Sequence, residues 1–191
     1  MQPRRSSVVV SWVAVVLLIM SVGLNALQAR RIQLLTDPTL RRVSQVGKKA
    51  VELTGVLPDG RREVISFGGE IPTILYFFSP TCRWCEENWD NVRTLAAEAG
   101  NRFRFVGVAA EDDLGQFVKA RNLTFPVLGS VPPETLRALG FGSTPHTLVV
   151  SSQGQISNEW SGAFQGRTQR SVEAFFEIRL PGPPPKKAGA R

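Results

Sequence analysis

The sequence predicts an α/β protein: a central mixed β-sheet flanked by helices, with an N-terminal β-hairpin addition and a single N-terminal transmembrane helix. Three observations carry that expectation. Strand-length apolar runs alternate with segments of helical composition between residues 48 and 180, the pattern of a sheet covered on both faces. A hairpin and a helix close the region. Ahead of it, residues 8–27 hold no charged side chain at all.

In chain order, the uncharged stretch comes first. A helix of twenty residues rises about 30 Å, the hydrocarbon thickness of a bilayer. Arg4 and Arg5 precede it, and Arg30 and Arg31 close it. A cleaved signal peptide is the rival, but its apolar core runs only ~7–15 residues before a small-x-small site. At Leu27-Gln28-Ala29 the first of those positions is bulky, which favours an uncleaved anchor. Residues 1–7 would then be a cytoplasmic N-terminus and 28–47 a basic stalk. The charges near the span leave its orientation open, since Arg4 and Arg5 are matched by Arg30, Arg31, Arg41 and Arg42.

Residues 51–67 read as two short strands around Pro58-Asp59-Gly60, whose turn chemistry suits a hairpin. Residues 71–78 are continuously apolar, as in a strand buried on both faces. A helix is expected over 82–99, ending at Gly100. A second central strand follows over 102–109, a helix over 112–121, and a short strand over 125–129. Residues 133–139 form a helical turn that starts on a proline, where proline is tolerated. Residues 146–151 and 156–160 make a hairpin around Gln153-Gly154, and 167–179 a last helix with Val172, Phe175, Phe176 and Ile178 on or near its apolar stripe. The domain thus spans 48–180, and the proline-rich basic tail 181–191 is expected to be disordered.

Charge distribution excludes one function class. The chain carries +7 overall, but residues 1–62 hold a net +7, residues 63–180 a net −3 and the tail +3. A nucleic-acid surface concentrates positive charge on the folded domain itself; here the domain is slightly acidic.

Chemistry concentrates at Cys82 and Cys85, which stand where a buried strand turns into a helix. Helix starts offer unpaired N–H groups and partial positive charge, which lower the pKa of a thiol placed there. Cys82 is therefore the expected nucleophile. Cys85, about one turn on, is the expected resolving thiol for a mixed disulfide. Arg83 and Trp84 between them are candidates for tuning the pair. A zinc site needs two further ligands, and only His146 remains. A static disulfide across so short a loop stabilises little. His146 itself reads as a strand-entry residue, Glu86 and Glu87 as first-turn residues complementing the helix dipole, and Trp89 as packing.

The segments around Cys82, the strand over 102–109 and residues 141–156 resemble the thioredoxin-like superfamily, specifically the TlpA/ResA-like membrane-anchored thiol–disulfide oxidoreductases. The resemblance covers about two thirds of the chain. It implies that Pro145 is a cis-proline facing the cysteines and that the backbone of Thr144 holds an extended substrate segment. It also implies an enzyme of the bacterial envelope, with its domain on the extracytoplasmic side of the membrane. Such an enzyme acts on protein thiols and disulfides, draws electrons from a membrane donor protein and needs no cofactor. The chain departs from the pattern at five places. Thr81 stands where many members carry Trp, and Arg83-Trp84 lacks the common proline. Asn88 stands where members often carry Glu and Asp90 where they carry Pro. Tyr76 stands where thioredoxins proper bury an aspartate. Two alternatives on the same fold are copper delivery, which uses a wider cysteine spacing and a distant histidine, and thiol peroxidase activity, which places Pro farther ahead of the reactive cysteine.

Overall fold

The computed structural model describes residues 5–36 and 44–183, with side chains for 12–28 and 44–183. The chain divides into two units, 1–43 and 44–191.

In the first unit, helix α1 (Arg5–Thr36) runs 32 residues, so the first part of the expected stalk is helical. Along it, large apolar side chains from Trp12 to Leu27 are exposed on every side. Among the described side chains no helix is long and apolar enough to cross a membrane. The expected span starts at Val8, ahead of the first described side chain, Trp12. The rest of the stalk to residue 43 and the tail beyond Pro183 lie outside the described residues.

In the second unit, strands β1 (Leu53–Val56) and β2 (Arg62–Ile65) form the expected hairpin. The main sheet holds β3 (Thr73–Phe77), β4 (Arg104–Val108), β5 (Val127–Leu128), β6 (His146–Val150) and β7 (Ile156–Ser161). Its order is β5-β4-β3-β6-β7. β3 pairs parallel with β4 and antiparallel with β6, β5 is parallel to β4, and β7 antiparallel to β6. The sheet is therefore mixed, as expected.

Central strand β3 is buried on both faces because its large apolar residues alternate between two cores. Ile74 and Tyr76, with Phe78 just beyond the strand, join Trp89, Val92 and Leu95 of α3 (Trp89–Ala99) and Val172 and Phe176 of α6 (Gly166–Phe176). Phe117 and Val118 of α4 (Gly115–Ala120) pack on that same core. Leu75 and Phe77 face the other way, toward Leu136 of α5 (Pro133–Ala138), Leu148 and Val150 of β6, and Leu53 and Ile65 of the hairpin.

Several boundaries differ from the sequence reading. The helix expected over 82–99 is two: α2 (Arg83–Glu86) and α3, separated by a turn at Glu87 and Asn88. The side chain of Asn88 is spent on bonds into the core, which holds that turn. The helix expected over 112–121 starts only at Gly115, after Asp113 takes a left-handed φ of 44°. The last helix ends at Phe176, where Glu177 is left-handed, so Ile178 packs on the core from beyond it. Phe175 stays partly exposed against Trp160, its ring 5.3 Å away. The domain begins before residue 48: Gln45 N donates to Glu159 Oε2 at 3.0 Å and Gly47 N to Ile156 O at 2.8 Å.

Candidate active site

The chain leaves the carboxyl end of the central strand β3 and turns there into α2. Ser79 shapes that turn. Its carbonyl accepts from Cys82 N at 3.1 Å, and its hydroxyl accepts from Thr81 N at 3.3 Å. Cys82 then occupies the N-cap of α2, with extended backbone, and its sulfur accepts from Cys85 N at 3.2 Å. A cap side chain satisfies one of the N–H groups that a helix start leaves open, and here the cap is a thiol. Both cysteines are free.

The two thiols differ sharply. Cys82 is part-exposed and Cys85 fully buried. At Cys82, partial burial opposes ionisation. Hydrogen bonding by the side chains of Cys85 and Thr144 and by the backbone at Cys85 and Trp84 outweighs it, and the thiol lies below its ordinary value. At Cys85, burial dominates, and the Cys82 sulfur adds to it; that thiol is pushed up to about 12. Of the two, the part-exposed Cys82 sulfur ionises the more readily.

The loop ahead of β6 completes the site. The Thr144–Pro145 peptide bond is cis, and the Thr144 side chain lies close enough to hydrogen-bond either cysteine sulfur. Pro145 is buried, and its carbonyl accepts from Gly162 N at 2.8 Å. Residues far apart in sequence thus meet because β6 lies beside β3.

Arg83 is exposed and pairs along its own helix. Its Nε donates to Glu87 Oε1 at 3.2 Å, its side chain is 83% exposed, and its guanidinium lies 6.0 Å from the ring of Trp84. The groups that lower Cys82 are Cys85, Thr144 and the Trp84 backbone. Trp84 is 53% exposed, while Trp89 is buried with its ring edge-on to Tyr76 and Phe78. His146 is buried at the start of β6, edge-on to Phe141 at 5.5 Å. Glu86 pairs with Arg121 at the end of α4.

Beneath Cys85 lies a polar cluster that sequence reasoning did not assemble. Tyr76 and Asn88 stood out only as departures from a pattern, and Asn91 did not stand out at all. Asn88 Nδ2 donates to Tyr76 Oη at 3.2 Å. Asn88 Oδ1 accepts from Phe164 N at 2.9 Å and from Asn91 Nδ2 at 3.1 Å. The available signal was two asparagines three residues apart at the start of an apolar helix stripe, a spacing that puts both on one face.

No family model matches the chain, and no curated protein matches it in sequence. Solved structures do match in shape. A thiol:disulfide interchange protein of the thioredoxin family from Chlorobium tepidum superposes with TM-score 0.54 at 23% identity, covering 71% of this chain and 97% of that one. The thioredoxin domain of a thiol-disulfide oxidoreductase from Bacteroides vulgatus gives 0.57 at 18%, covering 70% and 99%. A peroxidoxin from Mycobacterium tuberculosis gives 0.58 at 16%, covering 71% and 97%. Sheet order, the dithiol at a strand–helix junction and these likenesses agree, and the chain has the thioredoxin-like fold.

Proposed function

We propose that the protein is a thiol–disulfide oxidoreductase that exchanges disulfides with other proteins. One observation carries the reading: two cysteines one turn apart, one capping a helix with its thiol lowered, the other buried with its thiol near 12. That asymmetry divides the labour. The Cys82 thiolate attacks a substrate disulfide, one substrate sulfur leaves, and a mixed disulfide forms. Cys85 then attacks the Cys82 sulfur and releases the second substrate thiol. The chain carries two cysteines in all, so each turnover ends in a Cys82–Cys85 disulfide that an outside donor must reduce. Backbone at Thr144, beside the cysteines, is where an extended substrate segment would pair, and the exposed Trp84 offers it an apolar contact.

The proposed setting is the bacterial envelope, with α1 as a membrane anchor, the domain outside the cytoplasm and a membrane protein as electron donor. The uncharged stretch 8–27 and the apolar side chains exposed all round α1 support this, as does the use of disulfide chemistry, which persists outside the reducing cytoplasm.

Trapping tests chemistry and setting together. The full chain carrying Cys85→Ser, expressed in a bacterium, should accumulate mixed disulfides through Cys82, in the membrane fraction and with exported proteins. Adducts with cytosolic proteins alone would contradict the setting. Absence of any Cys82 adduct would contradict the exchange reaction.

A further inference from the structure

Two fully buried asparagines, Asn88 and Asn91, reach into the core that holds Tyr76 and Phe164. A buried amide costs free energy unless it is hydrogen-bonded, and here every side-chain amide group of the pair is engaged. Asn88 Nδ2 donates to Tyr76 Oη at 3.2 Å, while Asn88 Oδ1 accepts from Phe164 N at 2.9 Å and from Asn91 Nδ2 at 3.1 Å. Asn91 Nδ2 also donates to Phe164 O at 3.2 Å, and Asn91 Oδ1 accepts from Gly182 N at 2.9 Å. A satisfied buried network rigidifies the segments that it joins. What it holds here is the backbone of Phe164, gripped at both its N–H and its carbonyl.

Phe164 lies in the loop from β7 to α6, and glycines loosen both ends of that loop. Gly162 takes a φ of +85° and Gly166 one of +55°, and glycine loses more backbone freedom on folding than any other residue. The Phe164 side chain anchors one point in the core, and the asparagines hold the peptide groups on either side of it. Two residues earlier, Gly162 N donates to Pro145 O at 2.8 Å. The loop is therefore bonded to the segment that carries the cis Thr144–Pro145 bond. At the other end of this relay stands the C-terminal segment. Leu180 is buried, its N donates to Glu173 Oε1 at 2.9 Å, and its carbonyl accepts from Gln169 Nε2 at 3.3 Å. Those bonds seat residues 180–182 on α6 and bring Gly182 N to Asn91.

We infer that Asn91, together with Asn88, is a positioning residue for the substrate segment: it fixes the 162–166 loop, and the Gly162–Pro145 bond passes that constraint to the backbone of Thr144. The C-terminal segment locks the pair from the other side. The inference rests on the exchange reaction proposed above, in which the Thr144 backbone pairs with an extended segment of the substrate. Neither asparagine takes part in a bond-making step. The consequence is a preference. Positioning matters for a disulfide carried on an extended peptide, which pairs with that backbone, and not for a small disulfide that has no peptide to pair.

Two coloured substrates with one leaving group separate positioning from chemistry. The first is 5,5′-dithiobis(2-nitrobenzoate). The second is a short extended peptide whose single cysteine carries 2-nitro-5-thiobenzoate as a mixed disulfide. Attack by Cys82 releases the same thiolate from both. In single turnover, Asn91→Ala should raise the half-saturating peptide concentration about tenfold, the worth of one hydrogen bond, with the maximal release rate held. The ratio of peptide to small-disulfide reactivity should fall by the same factor. A chain ending at Pro183 keeps the relay and should match the full chain. One ending at Arg179 loses the Gly182 bond and should shift as Asn91→Ala does. An unchanged ratio in Asn91→Ala, or equal changes for both substrates, as general loosening of the domain produces, would overturn the inference. If these variants fail to fold, hydrogen exchange in the full chain carrying Cys85→Ser decides. The amides of Gly162 and Phe164 should exchange slowly, and more slowly with the peptide held on Cys82 than with 2-nitro-5-thiobenzoate held there. Fast exchange at either amide, or no added protection by the peptide, would equally overturn it. Failure of the unmodified chain to release thiolate from the small disulfide would overturn the exchange reaction instead.

Discussion

At the scale of single residues, the site works by placing two chemically identical thiols in opposite surroundings. Cys82 gains hydrogen bonds when it ionises, and Cys85 loses solvation. This has a consequence for stability. A folded-state pKa raised above the unfolded value of about 8.5 means that the unfolded chain gives up the Cys85 proton first. Stability from that thiol is full below about pH 8.5 and is lost as pH rises toward 12. The depressed Cys82 thiol contributes in the opposite sense, but its contribution is complete once pH exceeds that same unfolded value. Urea unfolding of the reduced protein, compared with the oxidised one, should show the reduced form losing ground steadily from pH 9 to 10.5, by no more than about 1.4 kcal/mol per unit. A constant difference across that range would show that Cys85 is not held neutral by the fold. Arg83 was expected from its sequence position to act on Cys82. In the structure it pairs with Glu87 four residues on, and the groups that lower Cys82 are Cys85, Thr144 and the Trp84 backbone.

At the scale of elements, strands were the most legible part of the sequence, because β3, β4 and β6 are short apolar runs that only a doubly covered sheet would bury. Helix limits were less legible. The break between α2 and α3 depends on Asn88 finding Tyr76 and Phe164, and Phe164 is 76 residues away; no local pattern encodes that. The hairpin was legible from its turn, where Gly60 takes a φ of +85°. Its attachment was not. Val56 and Gly129 exchange two backbone bonds of 2.8 Å, which joins the hairpin to the end of β5. Gly55 permits this approach, since a Cβ there would meet Gly129 O and Leu128 Cβ at 2.9 Å each. Gly55→Ala should therefore destabilise the domain by about 1–3 kcal/mol, as overpacking does. Denaturant unfolding checks this, and a loss under 0.5 kcal/mol, the scale of a neutral surface change, would mean that the hairpin shifts without cost.

At the scale of the whole molecule, the sheet order explains why the chemistry gathers where it does. Pairing β3 with β6 brings the cysteines, at the end of one strand, beside Thr144 and Pro145, at the start of the other. The C-terminal segment is drawn in as well: Gly182 N donates to Asn91 Oδ1 at 2.9 Å, so the polar cluster under Cys85 reaches to the end of the described domain. That contact lay past the boundary expected at residue 180, because a segment with no periodicity shows no sign of its partner. The central claim is that this architecture makes Cys82 the nucleophile and keeps Cys85 in reserve. Alkylation of the reduced full chain with limiting iodoacetamide, followed across pH 5–10 by peptide mass spectrometry, tests it most directly. Cys82 should be modified first at every pH, with a rate that levels off below the pH expected of an ordinary thiol, while Cys85 stays unmodified until the protein is unfolded. Equal or preferential modification of Cys85 would contradict the account.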